Sequence, residues 1–170
     1  MGNASDGRAR IMGSAIGLFF GGVWSVLGAR ALSPGWHLPV AAAGIALTVV
    51  LIFRLWRAPL RPDASPALFR SRYYIAAVAL ELIALNVAGN LLLRYGLASY
   101  LLTSIGIIVG LHFIGLWLAT RMPRFLWIAG TMCVVSTLAA FLPAASAGFN
   151  PRNAATGFAN AVVLWIGASY

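Results

Sequence analysis

Glu81 is the side chain whose type and position are most unusual in this 170-residue chain. The sequence has three acidic side chains, and Asp6 and Asp63 both fall in polar stretches. Glu81 lies instead inside the apolar run Tyr73–Leu93, which is long enough to cross a bilayer. An ionisable group at membrane depth is energetically expensive, so Glu81 is a candidate functional residue.

His112 is the candidate partner of Glu81. If the third and fourth apolar runs form a hairpin that turns near Gly96, Glu81 and His112 lie at the same depth, about 12 Å from the inner boundary. A carboxylate and an imidazole on neighbouring helices can form an ion pair and pass a proton. In the alternative interpretation, Glu81 is neutral, hydrogen-bonded to a backbone or hydroxyl group, and purely structural.

Asn90 and Thr103 form a second pair at equal depth in the same hairpin. They lie half a helical turn away from Glu81 and His112, so the two pairs cannot both face one seam. We therefore expect one pair to lie between these helices and the other to meet a different neighbour. Asn86 shares a face with Asn90, and both amides are expected to hydrogen-bond between helices. Substrate binding is the alternative role for the two amides.

Enzymatic chemistry is not indicated by this composition. Two His and three acidic residues cannot supply a Ser–His–acid grouping or a zinc-ligand cluster, and there is no phosphate loop. A bis-His haem is excluded because His37 and His112 lie roughly 15–20 Å apart in depth, whereas both ligands must reach one iron. We predict a protein that is not an enzyme and has no cofactor or metal.

The composition itself predicts a single membrane domain over residues 1–170. Hydrophobic residues make up 61% of the chain and charged residues 9%, against about 25% charged residues in a soluble domain. The fold class is therefore all-α and polytopic, with one helix per apolar run. The six runs are Ile11–Leu32, His37–Phe53, Tyr73–Leu93, Ala98–Thr120, Phe125–Leu142 and Ala154–Tyr170. The fifth is short and the sixth has no polar tail, so five spans remain an alternative.

The basic residues predict the orientation. All twelve are Arg, and a cytoplasmic N-terminus places nine of them inside and three (Arg30, Arg94 and Arg152) outside. This satisfies the positive-inside rule and makes both termini cytoplasmic. Residues 1–10 are then a cytoplasmic N-terminus and residues 54–72 the main cytoplasmic loop. We expect anionic lipids at these Arg residues, with a partner-docking loop as the alternative. No nucleic-acid binding is expected, because no soluble basic face exists.

Small residues repeat every fourth position in the first run. This spacing lets two helix backbones approach closely, either within the chain or in a homodimer. The predicted packing residues are Gly13, Gly17, Gly21 and Ser25, with Gly106 and Gly110 in the fourth run.

Two segments suggest an internal repeat. GLFFGGVW at Gly17–Trp24 aligns with GLHFIGLW at Gly110–Trp117. Tandem three-helix units would have opposite orientation, giving a 3+3 inverted repeat of the kind found in small transporters. Chance similarity is the alternative, since Gly, Leu and Phe are common in this chain.

The stretch IVGLHFIGLW, Ile108–Trp117, together with Glu81 in the preceding run, resembles small uncharacterised bacterial multi-span proteins that carry a "VGLHF" string in a transmembrane helix. The resemblance covers about two spans. It implies a bacterial inner-membrane location and brings no activity with it.

Two functions follow as hypotheses. The first is a small transporter or proton-linked permease with Glu81 as the titrating group. The second is a non-catalytic membrane module that packs against a partner subunit or another copy through its small-residue faces.

Overall fold

The computed structural model describes residues 4–57, 71–145 and 148–169, and this part of the chain is all-helical, without a β-strand. A short 3₁₀ turn, Ala98–Tyr100, leads directly into the fourth helix. The helices are α1 (Ala4–Arg30), α2 (Pro34–Arg57), α3 (Arg72–Arg94), α4 (Leu101–Thr120), α5 (Pro123–Ala140) and α6 (Pro151–Ser169). The all-α prediction is confirmed.

Each predicted apolar run corresponds to one helix. The bounds differ by a few residues, except that α1 begins at Ala4 rather than Ile11. Four helices are long and apolar enough to cross a membrane, namely α2, α3, α4 with its 3₁₀ turn, and α5. These are the properties of a multi-pass membrane protein. Most of the predicted loop at 54–72, residues 58–70, lies outside the described residues.

The connections around α3 and α4 position the candidate site. Gly96 adopts a left-handed conformation with φ of 70° and ends α3. The N–H of Leu97 then donates to the carbonyl of Leu92 at 2.7 Å, which closes a Schellman turn. The hairpin predicted near Gly96 is therefore present. Arg121, also left-handed with φ of 59°, ends α4 just before Pro123 opens α5.

Helix α6 occupies the centre of the bundle and packs against α1, α5, α4 and α2. Thr156, Asn160 and Ala161 are completely buried. Because α6 meets other helices on most sides, it can carry polar residues that a lipid-facing helix would not tolerate. Helix α3 is the opposite case: it packs mainly against α4, and none of its residues is fully buried.

The small residues of α1 contact two different helices within the chain. A Cβ on Gly17 would lie 3.0 Å from the Cβ of Ala168, and a Cβ on Gly21 would lie 2.5 Å from Cδ1 of Trp165. Both contacts are with α6. Ser25 instead lies against Gly44 of α2. This face of α1 is therefore covered inside the monomer and is not available to a second copy.

The remaining predicted packing glycines divide into two groups. Gly106 lies against Ser136 of α5, and a Cβ on Gly110 would lie 2.8 Å from Sγ of Cys133. A Cβ on Gly13 would have no neighbouring atom within 4 Å among the described residues, because Gly13 borders a cavity. Among the described residues, the close approach of α1 thus begins at Gly17, and packing at Gly13 stays a prediction.

A close contact between helix backbones joins Gly28 of α1 to Gly157 of α6, which the four-residue pattern did not include. A Cβ on Gly157 would overlap the backbone of Gly28 and lie 2.9 Å from the carbonyl oxygen of Trp24. A backbone atom cannot move aside as a flexible side chain can, so α1 and α6 would have to separate.

Gly157→Ala is therefore expected to destabilise the protein although alanine favours helices. Forcing a methyl group between two backbones costs about 2 kcal/mol, equivalent to a melting temperature lower by about 4–8 °C. The measurement is a thermal melt in detergent followed by tryptophan fluorescence. Gly130→Ala is the matched control, because Gly130 is also helical and has open space at its Cβ position. Equal melts for the two variants would contradict the contact.

Candidate functional site

Glu81 and His112 meet between α3 and α4. His112 Nδ1 lies 3.2 Å from Glu81 Oε2, and the side chains are 13% and 20% exposed respectively. Nδ1 nevertheless has no hydrogen-bond partner of good angle among the described residues, so the contact is an electrostatic one rather than an aligned hydrogen bond. The predicted contact is present, because the Gly96 turn brings both residues to one depth.

The second predicted pair does not meet. Thr103 faces α6, where its hydroxyl oxygen lies 3.3 Å from that of Thr156. Asn90 is exposed on the other side of α3, and its Nδ2 donates to the backbone oxygen of Asn86 at 2.8 Å and to Asn86 Oδ1 at 3.1 Å. The two asparagines therefore share a face as predicted, but they make no contact with another helix in the described structure.

A cavity of about 390 Å³ reaches the Glu81–His112 pair. Its wall is formed by α1, α3, α4, α5 and α6, and its surface is mostly apolar. The cavity extends toward the end of the bundle that carries Arg72, where Tyr74 and Arg124 line it. This end is called the Arg72 end below, and the opposite end, where α3 stops, the Arg94 end.

The cavity exists because α3 stands apart from the centre of the bundle. Helix α6 fills the space between α1, α4 and α5, whereas α3 is anchored mainly on α4. Phe20 and Trp24 of α1 therefore form one wall and Glu81 and Leu85 of α3 the other. A carboxylate and an imidazole on the wall of such a cavity can exchange a proton with a molecule that enters it.

A second cavity lies at the Arg94 end. It has a volume of about 710 Å³, and its mostly apolar lining includes the polar side chains of Arg30, Asn150 and Asn153. Leu27 and Ile105 line both cavities. These two apolar side chains therefore stand where the two spaces approach each other.

A buried polar seam runs along α6, and sequence reasoning did not identify it. The Thr103–Thr156 contact is one part, and Asn160 Nδ2 donates to Ser136 Oγ at 3.0 Å in another. The seam consists of Thr103, Ser136, Arg152, Thr156 and Asn160, all at most 7% exposed. The spacing of Arg152, Thr156 and Asn160 indicates such a seam, because these residues are four apart and so share one helical face.

Arg152 is buried, whereas the charge count places it in an exposed outer loop. Its Nε donates to the carbonyl of Leu142 at 3.0 Å and its Nη1 to Ser99 Oγ at 3.2 Å. The guanidinium also lies 3.9 Å from the centre of the Tyr100 ring. Arg152 therefore ties the first turn of α6 to the end of α5 and the start of α4.

The site offers no place for a metal ion among the residues that the structure describes, since no three His, Cys, Asp or Glu side chains come together there. Cys133 is a free thiol that lies against Gly110, with its Sγ 3.6 Å from the carbonyl of Ile107.

Comparison with protein-family models, curated proteins and solved structures finds no match. The site's geometry is therefore the basis for assigning a function.

Proposed function

We propose that this protein is a small proton-linked transporter in which Glu81 takes up and releases the proton. The observation that supports this function is the cavity that reaches Glu81 and His112 inside the bundle. An acid buried in packed protein would serve structure alone, whereas an acid on a cavity wall is accessible to a solute. The imidazole of His112, 3.2 Å away, can offset the change in charge when the carboxyl group gains or loses a proton.

The route of transport runs from one cavity to the other. The two cavities extend toward opposite ends of the bundle, and Leu27 and Ile105 border both. Passage of a solute requires these two side chains to separate. While they are in place, their apolar surfaces resist the passage of water and protons.

The solute is small and largely apolar. A volume of about 390 Å³ lies within the range of pockets that bind small molecules, about 300–1,000 Å³. Among the described residues that line the cavity, Glu81 is the acidic one, and the cationic Arg124 lines the Arg72 end. Glu81 is nine residues into α3, about 13 Å from that end. An apolar organic cation therefore suits the cavity, because its body matches the wall and its charge matches the carboxylate.

The architecture proposed for this transporter is a bundle of six spans in a bacterial inner membrane, with both termini cytoplasmic. Helix α6 is shielded by α1, α4 and α5 and does not need the hydropathy of a lipid-facing span. The nine-to-three Arg distribution supports the orientation. At the Arg72 end, the guanidinium groups of Arg57, Arg72 and Arg121 lie over aromatic rings, a position suited to contact with anionic lipid headgroups.

A 3+3 inverted repeat is part of the same proposal. Exchange of the two three-helix units converts the α1–α2 contact into the α4–α5 contact and the α1–α6 contact into the α3–α4 contact, and these four are present. The α5–α6 contact has no α2–α3 counterpart of similar extent among the described residues. The units differ in their third helices, because α6 fills the centre while α3 stands at the edge. Such an asymmetry is what alternating access requires of two related halves, one closed and one open.

The alternative function, a non-catalytic module that docks through small-residue faces, has less support. The Gly17 and Gly21 face is covered by α6, and Gly106 and Gly110 are covered by α5. These residues hold the monomer together instead of presenting a docking surface.

Proton movement in proteoliposomes tests the proposal. Vesicles that contain the purified protein and a pH-sensitive dye are placed in a proton gradient, with tetraphenylphosphonium as the trial solute. The wild type should change the internal pH faster than protein-free vesicles. Glu81→Gln should fall to the protein-free rate while its melting temperature stays close to that of the wild type, because the amide keeps the shape and cannot take up the proton.

A second pair of variants tests the route. Ile105→Ala should increase proton movement because it widens the space between the cavities. Leu111→Ala should behave as wild type, since Leu111 is on the same helix but is 52% exposed on the outer surface. Equal rates for the wild type and Glu81→Gln would refute the transport function.

A further inference from the structure

The face of α3 that points away from α4 carries four residues with the spacing of a helix–helix interface. Ala79, Ile83, Asn86 and Asn90 are separated by four, three and four residues, and all four are exposed. At about 100° per residue they lie within about 60° of one another, on the side opposite Glu81. Alternating steps of three and four are the spacing of left-handed helix pairs. These four residues are called the outer face of α3 below.

The two amides on this face have unsatisfied hydrogen-bonding groups. Asn90 Nδ2 donates both to the backbone oxygen of Asn86 and to Asn86 Oδ1. The backbone acceptor fixes which end of the Asn90 amide is nitrogen, and therefore also which end of the Asn86 amide is oxygen. Two groups are left without a partner in the described structure, the Nδ2 of Asn86 and the Oδ1 of Asn90.

The free Nδ2 of Asn86 lies at a depth where neither water nor lipid can satisfy it. Asn86 is eight residues before Arg94, the end of α3, which places it about 12 Å along the helix from that end. Lipid chains offer neither donors nor acceptors there. An exposed amide at this depth therefore favours association with another polar helix surface.

We propose that a second copy of this chain occupies the outer face of α3 and forms a parallel two-fold dimer. The face is complementary to itself, because it carries a free donor on Asn86 and a free acceptor on Asn90. In a parallel two-fold pair each interface residue meets its own copy, and the four-residue hole that receives Asn86 also includes Asn90 of the other copy. Because the dimer is two-fold symmetric, each hydrogen bond between the two copies occurs twice. Two copies inserted with the same topology are parallel by necessity.

The dimer uses a different surface from the candidate functional site. Glu81 faces α4 and the cavity, half a turn away from Asn90. The α1 glycine face, the candidate for homodimerisation in the sequence, is covered by α6. The inference is thus independent of the transport function, and each can fail without the other.

Disulfide cross-linking in membranes tests the geometry. In a Cys133→Ser background, Ala79→Cys should form a covalent dimer on mild oxidation, because position 79 lies on the two-fold interface and meets its own copy. Leu80→Cys is the matched control. Leu80 is the next residue at the same depth, is 66% exposed, and points about 100° away from the face. Equal cross-linking at both positions, or none at position 79, would overturn the proposal.

Energy transfer between labelled copies tests the role of the amides. In liposomes of increasing lipid-to-protein ratio, Asn86→Leu combined with Asn90→Leu should shift the dimer-to-monomer midpoint by about fivefold or more toward monomer. The melting temperature of the monomer should not fall, because this face contacts no other helix in the described structure. An unchanged midpoint, or a wild type that is monomeric at every ratio, would refute the dimer.

Discussion

Replacing Arg152 by alanine is expected to lower the free energy of unfolding by about 3 kcal/mol. The substitution removes two charge-assisted hydrogen bonds, to the carbonyl of Leu142 and the hydroxyl of Ser99. It also removes the cation–π contact with Tyr100. The desolvation cost of burying the guanidinium offsets part of this loss and keeps it from being larger. SDS-driven unfolding in mixed micelles, followed by tryptophan fluorescence, provides the measurement.

Two further variants isolate the guanidinium geometry. Arg152→Lys keeps the positive charge, but an ammonium group cannot donate to both acceptors while it stacks on the Tyr100 ring. The variant should therefore recover little of the lost free energy of unfolding. Arg30→Ala is the control, since Arg30 is an exposed arginine at the same end of the bundle, and it should change stability by less than about 0.5 kcal/mol. If Arg152→Ala and Arg30→Ala unfold alike, Arg152 does not hold α4, α5 and α6 together as described.

Arg152 also shows where sequence reasoning fails in a membrane protein. An arginine between two apolar runs is normally a loop charge, and the charge count treats Arg152 as one. Its burial depends on the Leu142 carbonyl, ten residues earlier, and on Ser99 and Tyr100, which come from a distant part of the sequence. The burial of α6 could not be predicted from the sequence either. Its regularly spaced polar residues are explained only by the position of α4 and α5 around it.

The Glu81–His112 contact could be predicted because it depends on local geometry. A turn at Gly96 and a fixed rise per residue determine which residues of a helix hairpin share a depth. The same argument gave Asn90 and Thr103 an equal depth, but depth alone does not determine direction. Thr103 faces α6 and Asn90 faces outward, and these directions depend on which helices are neighbours. Sequence thus predicted the helices and one pair in the site, but not the cavity or the seam.

Removing either member of the Glu81–His112 pair is expected to destabilise the protein by about 3 kcal/mol. His112→Leu leaves the carboxylate beside an apolar wall, and Glu81→Leu leaves the imidazole in the same position. This loss is at the lower end for a buried ion pair, because the side chains are 13% and 20% exposed to the cavity. Unfolding of both single variants under the conditions used for Arg152 gives the two values.

The double variant distinguishes a coupled pair from two independent residues. Glu81→Leu combined with His112→Leu should recover about 2 kcal/mol of the summed loss, because no polar group then remains unpaired. Glu81→Gln should cost less than Glu81→Leu, since the amide keeps a polar group of the same shape beside the imidazole. Additive losses in the double variant would mean that the 3.2 Å contact carries no energetic coupling. In that case His112 would have no part in the proposed mechanism. The carboxylate of Glu81 would take up and release the proton at the cavity wall without it.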